Sequence, residues 1–198
     1  AAERSIARMF EGLIETAPLS AREVAIAGRE VLRGVGEVGG ANWLTAVKSH
    51  HEGTFQHCLL VAGVAAIYAK AAGFDNERTG TLMNAAILHD VGKAAIPLHV
   101  LDKAWRLTDE EFAVLKRHPA VGFDYLSKHS SATPEVLDAV RHHHEALDGT
   151  GYPDGLSAEQ IPELTRILTV CDIYAALIER RAMLREKAVI TSRYEILE

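Results

Sequence analysis

At 198 residues, with 48% apolar and 24% charged residues, the chain has the size of one compact domain with its own core, alone or with a short leader. Aromatic residues are scarce at 6% while Ala and Leu are common, a balance that leans toward helices. The formal charge of −6 repels polyanions and excludes DNA and RNA as partners, but leaves room for a small phosphorylated ligand where metal ions supply local positive charge.

Ile6, Met9, Phe10, Leu13 and Ile14 recur at helical spacing, and Val24, Ala27, Val31 and Leu32 do so again after Pro18 and Ser20, which predicts two leader helices. Gly34, Gly36, Gly39 and Gly40 then break the period as a linker does, so residues 1–40 are assigned to a leader and 41–198 to the domain. Glu3, Arg4 and Arg8 interrupt any apolar signal near the start. From Thr54 the period is helical to Ala72, closed by Gly73. The apolar run from Cys58 is too short, and too interrupted by Lys70, for a membrane span. Cys58 and Cys171 are the two cysteines; far apart and in apolar stretches, they form no disulfide framework and point to a reducing compartment, the cytoplasm.

A second domain helix is predicted from about Asn76 to Leu88, ending at His89-Asp90. Thr108 with Glu111 forms a capping box for a helix reaching about His118, where Pro119 restarts the chain. Thr133-Pro134 opens a helix over Val136 to His143. The segment from Asp148 to Gly155 holds Gly149, Gly151, Gly155 and Pro153, so it is a loop. Ser157 and Gln160 cap a short turn before a long helix from Pro162 to about Arg185. No alternating strand pattern appears, and the fold class is all-α.

Ten histidines exceed what packing calls for, and most stand beside an Asp, a Glu or another His. His89-Asp90 and His143-His144-Glu145 end apolar helices, while His57, His118 and Asp172 lie in or at the ends of others. Singly, a histidine on an apolar helix is more often a packed core residue than a ligand. His50, His51, His129 and His142 read as surface or supporting residues, and the cysteines as core filler. Mixed imidazole and carboxylate donors suit first-row divalent metals, and the lack of ligating cysteines argues against a structural zinc site.

In order, His89-Asp90-Val91-Gly92-Lys93, Ile96-Pro97, His118-Pro119, Gly122, His143-His144-Glu145, Asp148-Gly149-Thr150-Gly151-Tyr152-Pro153, Arg166-Ile167-Leu168 and Asp172 closely resemble the HD-GYP family. These are bacterial cyclic di-GMP phosphodiesterases of the HD superfamily of metal-dependent phosphohydrolases. The resemblance runs from about Thr54 to Arg181 and implies a helical bundle and two divalent ions, iron or manganese first, with nickel and zinc compatible. It implies that His57, His89, Asp90 and Asp172 hold one ion and that Asp90, as a bridge, holds the other with His118, His143 and His144. The nucleophile is then a hydroxide shared by the two ions, yielding linear pGpG, GMP or both. Lys93 would meet the scissile phosphate, Gly151, Tyr152, Pro153 and Arg181 would line the substrate, and the loop would also dock protein partners such as GGDEF-type domains. A homodimer through the leader helices is the expected assembly.

The chain departs from the family pattern at Leu60, where an Arg is usual, and at Ala175, where an Asp is usual. Arg181-Ala182-Met183-Leu184 stands in place of Arg-Pro-Tyr-Arg, and Gly53, beside Glu52, occupies the position of a third-metal Glu. These departures leave the metal ligands intact and weaken the expected grip on substrate. The alternative from another class is therefore a weak or inactive module that senses the nucleotide or docks a partner. A general HD phosphohydrolase for other nucleotides fits less well, because the Gly-Tyr-Pro loop is not a feature of that wider group.

Overall fold

The computed structural model describes residues 18–42, 44, 53–103 and 106–194, with side chains described as far as residue 179. The first leader helix and His50, His51 and Glu52 lie outside the described residues. Helix α1 (Ala21–Val38) starts at Ser20, whose hydroxyl accepts from the Glu23 amide, and buries Val24, Ala27, Val31 and Val35. It runs through Gly34 and Gly36 and stops only at Gly39, because four buried side chains outweigh the roughly 1 kcal/mol that a helical glycine costs. These side chains belong to the same hydrophobic core as the rest of the domain.

Helix α2 (Thr54–Ala71) is apolar on almost every side, and a helix of that kind is stable only when surrounded. It packs against α1, against α3 (Asn76–Leu88) and against α8 (Glu163–Tyr194). Cys58, Leu60, Val61, Ala62 and Ala65 along it have no exposed surface. Asp75 caps α3 by accepting from the Arg78 amide at 2.8 Å. The chain then turns through a 3₁₀ segment, Val91–Ala95, into the short helix α4 (Leu98–Leu101), neither of which has a periodic signal long enough to read from sequence.

The capping box at Thr108 and Glu111 is present and starts α5 (Asp109–Leu115). Helix α6 (His118–His129) carries Pro119 in its first turn, and α7 (Pro134–His142) starts from Thr133. The Ser157/Gln160 capping box encloses a 3₁₀ turn, Ala158–Gln160. Helix α8 follows and extends nine residues past the expected end at Arg185. Among the described residues the one β feature is an isolated bridge between Asp148 and Ser157, in keeping with the all-α expectation.

The 3₁₀ turn after α3 packs on α6, and Gly92 makes this approach possible. A Cβ there would land on the His118 carbonyl and 2.7 Å from the Gly122 amide nitrogen, both fixed backbone atoms. Gly92→Ala is therefore expected to cost about 1–3 kcal/mol through overpacking, measured by urea unfolding. Unchanged stability would mean that the turn and α6 do not sit this close.

Candidate metal centre

Five helix segments deliver side chains to one place. His57 comes from the first turn of α2, and His89 and Asp90 follow the end of α3. His118 starts α6, His143 and His144 follow α7, and Asp172 lies on α8. Helix ends suit this task because their last residues leave the helical hydrogen-bond ladder and can turn inward without breaking it. His89, His118, His143 and Asp90 are almost wholly buried.

Three of these imidazoles are held in the same way. Nδ1 of His89 donates to the Ala86 carbonyl at 2.9 Å, Nδ1 of His118 to Leu115 at 2.8 Å and Nδ1 of His143 to Val140 at 2.8 Å. A carbonyl only accepts, so the proton belongs on Nδ1 and the Nε2 lone pair faces the cavity. There it meets other acceptors. The Nε2 atoms of His118 and His143 are 3.3 Å apart, His118 Nε2 is 3.2 Å from Asp90 Oδ1, and His89 Nε2 is 3.3 Å from Asp90 Oδ2. Despite these distances, His89 Nε2 and Asp90 Oδ1 are buried without a hydrogen-bond partner of acceptable geometry, a costly arrangement in a protein interior.

His57 is held differently. Its Nε2 is 2.7 Å from Asp172 Oδ1 and 3.9 Å from Asp90 Oδ2, and its Nδ1 is 3.0 Å from Glu179 Oε2. Burial opposes its charged form, but the hydrogen bonds to Asp172 and Glu179 outweigh burial and hold its pKa at about 10. His144 has no such partners. Its Nδ1 stays 4.0 Å from Asp172 Oδ2, and burial with the neighbouring His118 lowers its pKa to about 4. His143 is pushed well down by burial and by the adjacent imidazoles. Burial works against an ionised Asp90, yet the charge of the neighbouring Lys93 keeps its pKa well below the usual carboxylate range. Lys93 Nζ lies 2.6 Å from Asp90 Oδ2, and this pairing raises its pKa against the effect of burial.

The loop beside the centre is pinned at many points. The buried Glu145 carboxylate accepts from the amides of Asp154 at 2.7 Å, Gly155 at 3.1 Å and Leu156 at 3.0 Å. Arg141 grips Asp154 with two hydrogen bonds, and His142 bridges Asp138 and Asp154 at 2.9 Å each. Asp148 Oδ1 accepts from the amide and hydroxyl of Thr150. Gly151 is obligatory, since a Cβ there would strike the Ala146 amide and the backbone of Glu145. The Tyr152 ring lies 4.9 Å from that of His144, so the tyrosine borders this imidazole. Arg166 is structural, donating to the carbonyls of Ile161 and Ala158. His129 stacks on Tyr125. The Arg181 side chain lies outside the described residues.

Two groups have donor atoms all within 4.8 Å of one another: Asp90, His118, His143 and His144, and His57, His89 and Asp90. Asp90 is common to both. The expected ligand Asp172 adjoins the second group through His57. Unpartnered buried acceptors, lone pairs facing lone pairs and a shared carboxylate are the donor chemistry that divalent cations satisfy, so these residues fit a two-ion centre.

Residues 42–196 match the family model described as an HD domain. The chain belongs to the HD domain family. It is 38% identical over 138 residues to the cyclic di-GMP phosphodiesterase PA4108 of Pseudomonas aeruginosa, covering 70% of this chain and 33% of that protein. It is 41% identical over 138 residues to the cyclic di-GMP phosphodiesterase response regulator RpfG of Xanthomonas campestris pv. campestris, covering 69% and 36%. The chain thus spans about a third of the length of these curated relatives. Among solved structures, the HDG"Y"P protein Bd1817 from Bdellovibrio bacteriovorus superposes with a TM-score of 0.68 at 23% identity, over 90% of this chain and 58% of that one, a likeness of fold.

Two features of this HD domain escape a reading of the sequence. Glu179 reaches His57 from 122 residues away, a pairing that no local spacing signals. Glu145, although part of a recognised motif, serves the loop rather than the centre. Removing its carboxylate in Glu145→Ala frees three amides. The expected result is a loss of about 1–3 kcal/mol, with faster hydrogen exchange at Asp154, Gly155 and Leu156. Unaltered exchange at these amides would show that the loop holds its shape without Glu145.

Proposed function

We propose that this HD domain hydrolyses a phosphodiester bond of cyclic di-GMP at a two-ion centre, giving linear pGpG, GMP or both. The observation that carries the reading is the pair of ligand groups sharing Asp90, with buried acceptor atoms left unpartnered between them. The substrate rests on the names of the curated relatives, both cyclic di-GMP phosphodiesterases. The proposed metals are iron(II) or manganese(II), since the donors are imidazole nitrogen and carboxylate oxygen.

His118, His143 and His144 with Asp90 would hold one ion, and His57, His89 and Asp90, with Asp172 beside them, the other. Bound there, divalent ions supply a water of lowered pKa and an electrophilic contact for the phosphoryl oxygens. The protein residues prepare the rest. Carbonyl partners fix the three Nε2 atoms before any ligand arrives, so little reorganisation remains for the reaction. Lys93, partly exposed and paired with Asp90, places positive charge at the edge of the cavity where a phosphate would enter. Hydrolysis joins the water oxygen to phosphorus, breaks the bond to the ribose 3′ oxygen and delivers a proton to that leaving oxygen. Tyr152, whose ring lies beside that of His144, would border the nucleotide together with Pro153.

A second reading, a sensor or docking module, is favoured by Leu60 and Ala175, where the family pattern has Arg and Asp. Both residues are fully buried in the hydrophobic core, on α2 and α8, which pack together. Replacing a buried charged pair by apolar residues is often neutral or stabilising. These departures therefore alter packing rather than the cavity, and the hydrolase reading is the stronger.

The assay is incubation of the purified protein with cyclic di-GMP and manganese(II) or iron(II), followed by chromatography of the products. Asp90→Ala is expected to lose both ions by elemental analysis and to form no product; full metal content in that variant would refute the shared-carboxylate assignment. Lys93→Ala is expected to keep its metals while kcat falls by about 10²–10³, the usual effect of removing one electrostatic contact to a transition state. Equal turnover in the two proteins would mean that Lys93 only neutralises Asp90.

A further inference from the structure

The two halves of the centre differ in what stands behind their histidines. His118 and His143 rest on neutral backbone carbonyls, as does His89. His57 lies in the first turn of α2 and rests instead on a carboxylate, Glu179, at 3.0 Å from Nδ1. Asp172 approaches the opposite nitrogen of the same ring at 2.7 Å. Asp172 and Glu179 are seven residues apart on α8, two helical turns and so on one face, with a rise of about 10 Å between them. One helix therefore brackets one imidazole from both ends.

A carboxylate accepting Nδ1–H does more than a carbonyl. It fixes the tautomer, orients the ring and increases electron density at Nε2, which makes the ring a better donor to a cation. It also adds a negative charge close to one half of the centre and not to the other. The Glu179 side chain is 24% exposed, so its charge is partly screened but still acts over the short distance through the ring. Among the described residues no comparable anion is hydrogen-bonded behind His118 or His143.

On the basis of the two-ion reading, we propose that Glu179 is a positioning residue that makes the half of the centre containing His57 the tighter metal site, so that the two sites fill in sequence rather than together. Asp90 is common to both halves, leaving the difference to the groups that are not shared. On one side these are His57 with Glu179 behind it, His89 and the nearby Asp172. On the other side they are three imidazoles of which two rest on neutral oxygens. The carboxylate acts through His57 and not by touching the ion.

The test is calorimetric titration of metal-free protein with manganese(II), with no substrate and no turnover. The parent is expected to bind two ions of unequal affinity. Glu179→Gln keeps an acceptor for Nδ1–H and the same shape but loses the charge. It should weaken the tighter ion by about 10–100-fold, the range for loss of an outer partner of a ligating histidine, and leave the weaker ion within twofold. In a His57→Ala background the same substitution should change no manganese affinity, because the ring that carries the effect is gone, and a thermal melt of each variant checks that it is folded. Two ions still bound by Glu179→Gln with parental affinities would overturn the role of Glu179 while leaving the two-ion centre standing. So would an equal loss with and without His57, which would make the effect a general one of charge. Fewer than two ions bound by the folded parent would overturn the centre and this inference together.

Discussion

Everything in this domain is arranged around a cluster of acceptors that has too few donors. Three Nε2 lone pairs and the two oxygens of Asp90 face one another in a buried space, with Lys93 and His57 at its edge. In a protein interior such a cluster is unfavourable unless positive charge enters it, because His89 Nε2 and Asp90 Oδ1 have left water without gaining a partner. The fold holds the cluster in place all the same. The stability needed for that comes from the surrounding helices, above all from α2, buried among α1, α3 and α8.

The geometry depends on a few close backbone approaches. Gly92 lets the turn carrying Asp90 lie against the start of α6, and the same approach brings His118 toward that carboxylate. Gly151 lets the loop fold back on Glu145, whose carboxylate gathers three consecutive amides. The loop is thus tied down beside the centre by a single carboxylate. This holds the Tyr152 ring 4.9 Å from that of His144.

Much of this is legible in the sequence, for physical reasons that can be named. Capping residues at Ser20, Thr108 and Thr133 mark helix starts because each satisfies amides that the helix cannot. His89-Asp90 and His143-His144 are legible as candidate ligands because they come as adjacent pairs at helix ends, whereas His57 and His118 stand out only through the family resemblance. Contacts made across the fold are not legible. Glu179 looks like any charged residue of a long helix until α8 is laid on α2. Leu60 and Ala175 read as losses from a substrate grip until both are found in the core. Gly34 and Gly36 read as a linker until the buried face of α1 carries the helix through them. In each case tertiary packing decides what local propensity leaves open.

Anomalous scattering from crystals of the manganese-loaded protein shows whether the acceptor cluster holds two cations that share Asp90. Two peaks are expected, one bounded by Asp90, His118, His143 and His144 and the other by His57, His89 and Asp90. A single peak, or scattering from manganese at the protein surface alone, would contradict a two-cation centre.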